Sequence, residues 1–352
     1  MSASETPGEF TVVIPTIGRP SLATTLAALD ADVAVVVVDD RPPTAMGELP
    51  GVGSNRVRVV RSGGRGPAAA RNAGWRAAGT PWVVFLDDDV VPAPGWARAV
   101  TADLAGLPEE AAGSQGRVEV PLPQGRAPTD DERNTAGLAG AAWITADMAY
   151  RRAALEKVNG FDERFPRAYR EDADLALRLR TAGWLLVRGE RLVRHPVRDD
   201  GPWASLRRQR GNADDALMRR VHGPGWRTAV GEGGGRLGRH ALTTGLGLVG
   251  LLAGALALGS DGRAARALRG GAVLAGAGWL ALTAEFAWAR IAPGPRTGEE
   301  IRRMTVTSVL IPPAACAHRL RGEWRVRREG RVHGERQAPG GQRVHGERRV
   351  RR

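Results

Sequence analysis

Three consecutive carboxylates, Asp87-Asp88-Asp89, close the apolar run Trp82-Val83-Val84-Phe85-Leu86, which has the length and composition of a fully buried strand. The acids therefore sit at the carboxyl end of a strand, where ligands bind in open parallel sheets. Side chains alternate along an extended chain, so Asp87 and Asp89 share one side and Asp88 points the other way. Two carboxylates on one side repel each other unless a cation joins them. A hard divalent ion with oxygen ligands, carrying a substrate's phosphates, is the natural partner. A solvated acidic turn after a core strand is the plain alternative, and the surrounding sequence has to choose between them.

Phe10 to Thr16 is a β-branched run ended by the turn Gly18-Arg19-Pro20, and Ser21 has the character of a helix N-cap before Leu22, Leu26 and Leu29 at helical spacing. Val33 to Val38 is a second buried strand that again ends on acids, Asp39 and Asp40. Val57 to Val60 is a third strand. The loop Gly63-Gly64-Arg65-Gly66-Pro67 leads into a helix over 68–78 and offers backbone N–H groups to an anion, with Arg71 and Asn72 in the first turns. The pattern to residue 90 is β-α-β-β-α-β with acids after two strands, an α/β sheet with a nucleotide-sized site.

Val12-Val13-Ile14-Pro15-Thr16, Val38-Asp39-Asp40, Gly66-Pro67-Ala68-Ala69-Ala70-Arg71-Asn72-Ala73-Gly74 and Phe85-Leu86-Asp87-Asp88-Asp89 resemble, in order and spacing, family 2 glycosyltransferases of the GT-A (Rossmann-like, nucleotide-diphospho-sugar transferase) fold. The resemblance continues through Thr145 to Arg152, Gly160-Phe161-Asp162-Glu163 and Glu171-Asp172-Ala173-Asp174-Leu175, covering roughly residues 9 to 200. It implies transfer of a sugar from a nucleotide-diphosphate sugar to an acceptor hydroxyl, with inversion at the anomeric carbon. The acceptor is then a cell-surface glycan, a lipid carrier or a small molecule. It implies donor contacts from Pro15, Asp39 (base or ribose), Asp40, Arg71, Asn72, Asp87 and Asp88. Asp87 and Asp89 become the metal-binding pair for Mg²⁺ or Mn²⁺, with His195 as a third candidate ligand. A lone His is more often structural than a ligand. The acidic pair Glu171-Asp172 becomes the catalytic pair, with Asp172 as general base; acids at a helix start are also common simply because they suit its dipole. Two positions depart from the family pattern. Asp147 stands where Asn is expected, on the acceptor side, and Asn159 stands where a Gly precedes Gly160-Phe161.

Two other functions are open to such a chain. A sugar nucleotidyltransferase would carry a Gly-rich loop directly after the first strand, where this chain has Pro15-Thr16-Ile17-Gly18-Arg19-Pro20. A membrane-anchored, non-catalytic sugar-binding or scaffold protein would be free to lose Asp89 or Asp172, and both are present.

The segment 117–133, polar and rich in Pro and Gly, reads as a loop over the site, and 202–220 as a helix. Past residue 231, Ala241 to Gly259 carries no charge, and Gly271 to Ala289 is apolar but for Glu285. Both approach the length of a membrane span, and Gly250 and Gly254 form a small-residue face suited to helix packing. A third apolar piece, 304–317, is interrupted by Pro312-Pro313. Residues 319–352 hold twelve Arg and four Glu, so +8 of the net charge of +13 belongs to a tail that repeats Arg-Val-His-Gly-Glu-Arg. The tail offers one aromatic, Trp324, against nucleic-acid binding. A single cysteine, Cys316, excludes an internal disulfide framework. The organisation expected is a catalytic domain over 9–228, an apolar helical, membrane-associated hairpin over 229–320 and a basic disordered tail over 321–352. Met1 to Glu9 has no basic apolar run, which places the catalytic domain on the cytoplasmic side of the cell membrane.

Overall fold

The computed structural model describes residues 9–45 and 47–337, with side chains to residue 329. The strands are β1 (Phe10–Thr16), β2 (Val35–Asp39), β3 (Val57–Arg61), β4 (Trp82–Leu86), β5 (Val91–Pro92), β6 (Ala111–Glu119), β7 (Asp147–Arg151) and β8 (Leu185–Arg194). They form one sheet in the order β3-β2-β1-β4-β7-β6-β8-β5. The first four strands of that order are parallel, and β7 runs antiparallel to both of its neighbours. The helices α1 (Ser21–Ala27), α2 (Pro67–Ala77), α3 (Trp96–Ala105), α4 (Asp130–Ala136), α5 (Arg152–Lys157) and α6 (Glu171–Thr181) belong to this domain. After β8 come α7 (Ala204–Arg207), α8 (Asn212–His222), α9 (Trp226–Ala229), α10 (Leu237–Leu258), α11 (Gly262–Ile291) and α12 (Gly298–Gln337). A GT-A-like mixed sheet followed by helices is the arrangement that the resemblance implies.

Strand periodicity builds two cores on opposite faces of the sheet. Val12, Ile14, Val35, Val37, Val84 and Leu86 pack with Leu22, Trp96 and Val100 on the α1 and α3 side. Val13, Val36, Val38, Val83 and Phe85 pack with Trp75, Leu175 and Leu179 on the α2 and α6 side. Each such side chain contributes about 1.5–3 kcal/mol when fully buried, so the continuous apolar runs of β2 and β4 fix these strands at the centre. The same alternation carries past Leu86. Asp87 meets Arg71 of α2, while Asp88 turns to Thr16 and Arg19 at the α1 side.

Several expectations are corrected. Ser21 is the first helical residue of α1; the cap position is Pro20, whose ring presets the helical φ and supplies no side-chain cap. The stretch 202–220 breaks into α7, a 3₁₀ turn and α8. The segment 117–133 is not a free loop: β6 runs to Glu119, and Thr129 and Glu132 form a capping box that starts α4. The signal, Thr followed three residues later by Glu, stands in the sequence. Burial of α4's acids is matched by the C-terminal helices, with Arg290 on Asp130 at 2.8 Å and Arg303 on Asp131 at 3.0 Å. The Glu132 carboxyl is held down at about 2, chiefly by hydrogen bonds from Arg126. A depressed folded-state value means that the cap's contribution is complete above the ordinary Glu range near 4.5 and is lost as pH falls towards 2. Hydrogen exchange at α4 should therefore accelerate across that window, and Glu132→Gln should flatten the response.

Asp147 is fully buried rather than on the acceptor side. It accepts from Arg191 Nε at 2.7 Å and from Trp96 Nε1 at 2.8 Å, and Arg191 itself is enclosed and also reaches Asp103 at 3.0 Å. Asn159 takes the left-handed conformation (φ 58°) that the more usual Gly would adopt, so this departure leaves the turn intact.

α10 and α11 are long and apolar enough to cross a membrane. They lie antiparallel: Arg236 and Arg239 at the start of α10 bind Glu285 of α11 at 2.7 and 3.0 Å, which neutralises the one acid in the second run. Gly250 and Gly254 face α11, where a Cβ on Gly250 would lie 3.4 Å from Gly276 N. Apolar side chains on the hairpin point outward, Leu251, Leu258 and Leu274 being 74%, 89% and 76% exposed. These features suggest membrane association.

The boundary expected at 320/321 falls inside α12, which continues through Pro312 and Pro313 and returns to the sheet domain. Val326 joins Phe165, Leu177, Leu217, Met218 and Trp226 in a third core, and Arg325 binds Asp214 at 3.2 Å. Residues 321–329 are thus packed helix, not tail; the second basic repeat lies outside the described residues. Gly322 lets α12 meet α8, because a Cβ there would stand 2.4 Å from Ala213 O. Gly322→Val should cost about 1–3 kcal/mol by overpacking, read as earlier thermal unfolding and faster proteolysis within α12.

Candidate active site

The carboxyl ends of β1 and β4 open into a cleft of about 400 Å³, floored by Pro15, Thr16 and Asp87 to Asp89 and walled by Arg19, Arg71, His195 and Arg198. β4 positions the acids and β8 positions His195, which follows its last residue. One ligand atom each from Asp87, Asp89 and His195 lies within 4.8 Å of the others. Two carboxylates and an imidazole form a donor set that suits a divalent cation of the Mg²⁺ or Mn²⁺ type, so the residues present fit the metal that the resemblance implies. Burial and the neighbouring Asp87 push the Asp89 carboxyl up, opposed by His195 and Arg198, so a cation at this point would relieve a crowded pair of anions. His195 Nδ1 faces Pro196 O at 3.1 Å, which leaves Nε2 towards Asp89 at 3.6 Å.

Arg71 joins the two acidic elements. It is buried, bonding Asp87 at 3.0 Å and Glu171 at 2.7 Å. Glu171, read from the sequence as catalytic, is 2% exposed and sealed beneath Arg71. Its carboxyl is pushed up, first by burial and then by the charge of Asp172. It can position Arg71 but cannot meet a substrate hydroxyl. Asp172 is half-buried on the first turn of α6 and accepts from Ala173 N at 2.7 Å. Burial raises its carboxyl against the pull of Arg71, making it a stronger base than an ordinary aspartate. Arg170, immediately before the pair, holds a left-handed backbone (φ 81°) that a non-glycine residue adopts at a cost, fixed by Asp215 at 2.9 Å and by the rings of Tyr169 and Trp226.

Other sequence candidates fare differently. Asn72 does not flank the cleft. Its amide is consumed by Phe161 N and O, Glu163 and Trp75, and it pins the turn at Gly160-Phe161 instead. The Gly-rich loop before α2 is not a free anion cradle either, because Asp40 accepts from Arg65 N at 3.0 Å and Gly66 N at 2.9 Å. Asp40 does line the cleft. Asp39 lies behind it, where Arg41 binds both of its oxygens at 2.8 Å and holds the carboxyl below its usual range. Arg19, Arg198, Leu138 and Ala168 complete the walls and were not singled out as site residues in the sequence. Arg19 and Arg198 lay near residues that were, four beyond Pro15 and three beyond His195; Arg198 binds Asp89 at 3.0 Å.

Residues 11–125 match the model of a family described as glycosyl transferase family 2. Two relatives from Mycobacterium tuberculosis strains CDC 1551 / Oshkosh and ATCC 25618 / H37Rv, both named pre-mycofactocin glycosyltransferase, are each 31% identical over 193 residues, covering 50% of this chain. The chain spans 40% of the length of these curated relatives. Among solved structures, one described as a mycobacterial protein aligns at 19% identity and a TM-score of 0.41, over 61% of this chain and 75% of its own. The catalytic domain of Drosophila β1,4-galactosyltransferase 7, in complex with xylobiose, aligns at 14% identity and a TM-score of 0.33, over 51% and 63%.

Proposed function

We propose that the chain, whose residues 11–125 match the model of glycosyl transferase family 2, moves a sugar from a nucleotide-diphosphate sugar to an acceptor hydroxyl, with inversion, at the surface of a membrane. The observation that carries the reading is the convergence of Asp87, Asp89 and His195 in a cleft that Arg19, Arg71 and Arg198 also line. Asp87, Asp89 and His195 would hold a divalent cation, which when bound supplies positive charge to the diphosphate that leaves. Arg71 and Arg19 steady the acids: Arg71 is held from behind by Glu171, and Arg19 fixes Asp88 at 2.8 Å.

In the displacement, the acceptor oxygen forms its bond to the anomeric carbon as the bond from that carbon to the diphosphate oxygen breaks. The proton of the acceptor hydroxyl passes to the Asp172 carboxylate, and the nucleoside diphosphate departs. A single displacement inverts the anomeric centre.

Donor affinity measured by calorimetry for UDP-, GDP-, dTDP- and CDP-sugars, with and without Mn²⁺, tests the reading. One of these should bind in a cation-dependent manner, and excess EDTA should remove it. Asp89→Asn should weaken metal-dependent donor binding by tenfold or more, in the order-of-magnitude range lost when a hard-cation site gives up a charged ligand. Full transfer in EDTA would reject the metal assignment.

A further inference from the structure

A second cleft, of about 690 Å³, opens from the first and shares Leu138, Ala168, His195 and Arg198 with it. Its far end is formed by Arg236, Leu237 and His240, the entry to α10. Seven arginines line it against two aspartates. Most of the arginines are paired, but most of the carboxylates they use are shared between two cations; Asp200, on Arg208 at 3.7 Å, is an exception. Asp214 serves Arg167 and Arg325, Asp131 serves Arg208 and Arg303, and Asp215 serves Arg170 and Arg227. The wall is therefore left with a surplus of positive charge. Two of its members lack a carboxylate partner altogether among the described residues: Arg207 donates to the backbone oxygen of Asp200, and Arg210 is exposed with none.

Three chemistries thus follow one another along a continuous path. The acidic donor site lies at one end, a cationic stretch in the middle and, at the other, the start of α10, whose exposed side carries Leu242 and Leu248. A molecule complementary to all three has a hydroxyl, then phosphate, then an apolar chain. We propose that the acceptor is a lipid-linked saccharide whose phosphate groups sit among the arginines of this cleft, with the lipid chain along the hairpin and the saccharide hydroxyl presented to the donor. Guanidinium groups bind phosphate oxygens in charge-assisted, frequently bidentate pairs, and an exposed unpaired arginine gives up no existing partner to do so. The proposal rests on the glycosyl-transfer reading and adds to it the class of acceptor.

The test uses the full-length protein in nanodiscs of neutral lipid. Three probes are compared by binding: a polyisoprenyl diphosphate carrying one hexosamine, a polyisoprenyl glycoside without phosphate, and inorganic pyrophosphate. The first should bind at least about tenfold more tightly than either of the others, in line with the strength of charge-assisted pairs. The double substitution Arg207→Gln, Arg210→Gln, at exposed positions, should weaken it by roughly 10- to 100-fold. Rising salt should weaken it progressively in the unmutated protein, a readout that needs no variant to fold. Equal binding of the phosphate-free glycolipid, pyrophosphate binding as tight as the lipid, or an unaffected double variant would each overturn the proposal. Nucleotide-sugar binding is measured on the same sample. Its absence defeats the glycosyl-transfer reading itself, whereas its presence with no phosphate preference defeats only the acceptor assignment.

Discussion

Replacing Asp172 with asparagine is expected to leave donor affinity within about threefold of the parent and to slow single-turnover transfer by roughly 10²–10⁴-fold, the usual worth of a positioned base. The separation follows from where the residue stands. Donor-side charges are gathered on Asp87, Asp89 and Arg71, and Asp172 is beside them on α6 without touching the cation cluster. An amide keeps the shape and the hydrogen bond from Ala173 N but cannot take a proton. A helix-end acid with no other role would behave differently, since asparagine suits the first turn almost as well. Transfer within threefold of the parent would reject the base assignment. Glu171→Gln provides the contrast. It should loosen Arg71 and so weaken donor binding together with transfer, because Glu171 acts through that arginine.

The second large effect is on the fold. Arg191→Met should destabilise the sheet domain by about 3–5 kcal/mol, the cost of leaving Asp147 buried and charged without its partner. With a domain of this size, that amounts to an apparent Tm lower by on the order of 10 °C. Asp147→Leu combined with Arg191→Met should recover much of the loss, because a buried ion pair replaced by apolar groups of similar volume is often neutral. Differential scanning calorimetry of the two variants decides the matter. A single Arg191→Met within about 1 kcal/mol of the parent would mean that Asp147 takes up a proton and that Trp96 Nε1 is donor enough without the ion pair.

The sequence by itself determined the first half of the sheet. Val33 to Val38 and Trp82 to Leu86 are apolar over a full strand length, the pattern of central parallel strands, and acids at their ends had to fall on the ligand edge. The same local rule assigned Asp87 and Asp88 to opposite faces, and the apolar lengths of α10 and α11 were legible because a membrane-length apolar helix is a property of one segment. What was not legible depended on partners far away in the chain. Asn72 belongs to the motif around Arg71, yet Phe161, which takes both ends of its amide, stands 89 positions later, so a donor contact and a turn anchor look identical in one dimension. Asp147 was assigned to the acceptor side by its neighbours, and only packing against Arg191 and Trp96 turned it inward. The arginines of 319–329 spelled a solvated tail by composition. Tertiary structure gave them Asp214 and an apolar seat for Val326, because α8 presents a buried acid and an uncovered face that the local sequence of α12 does not reveal.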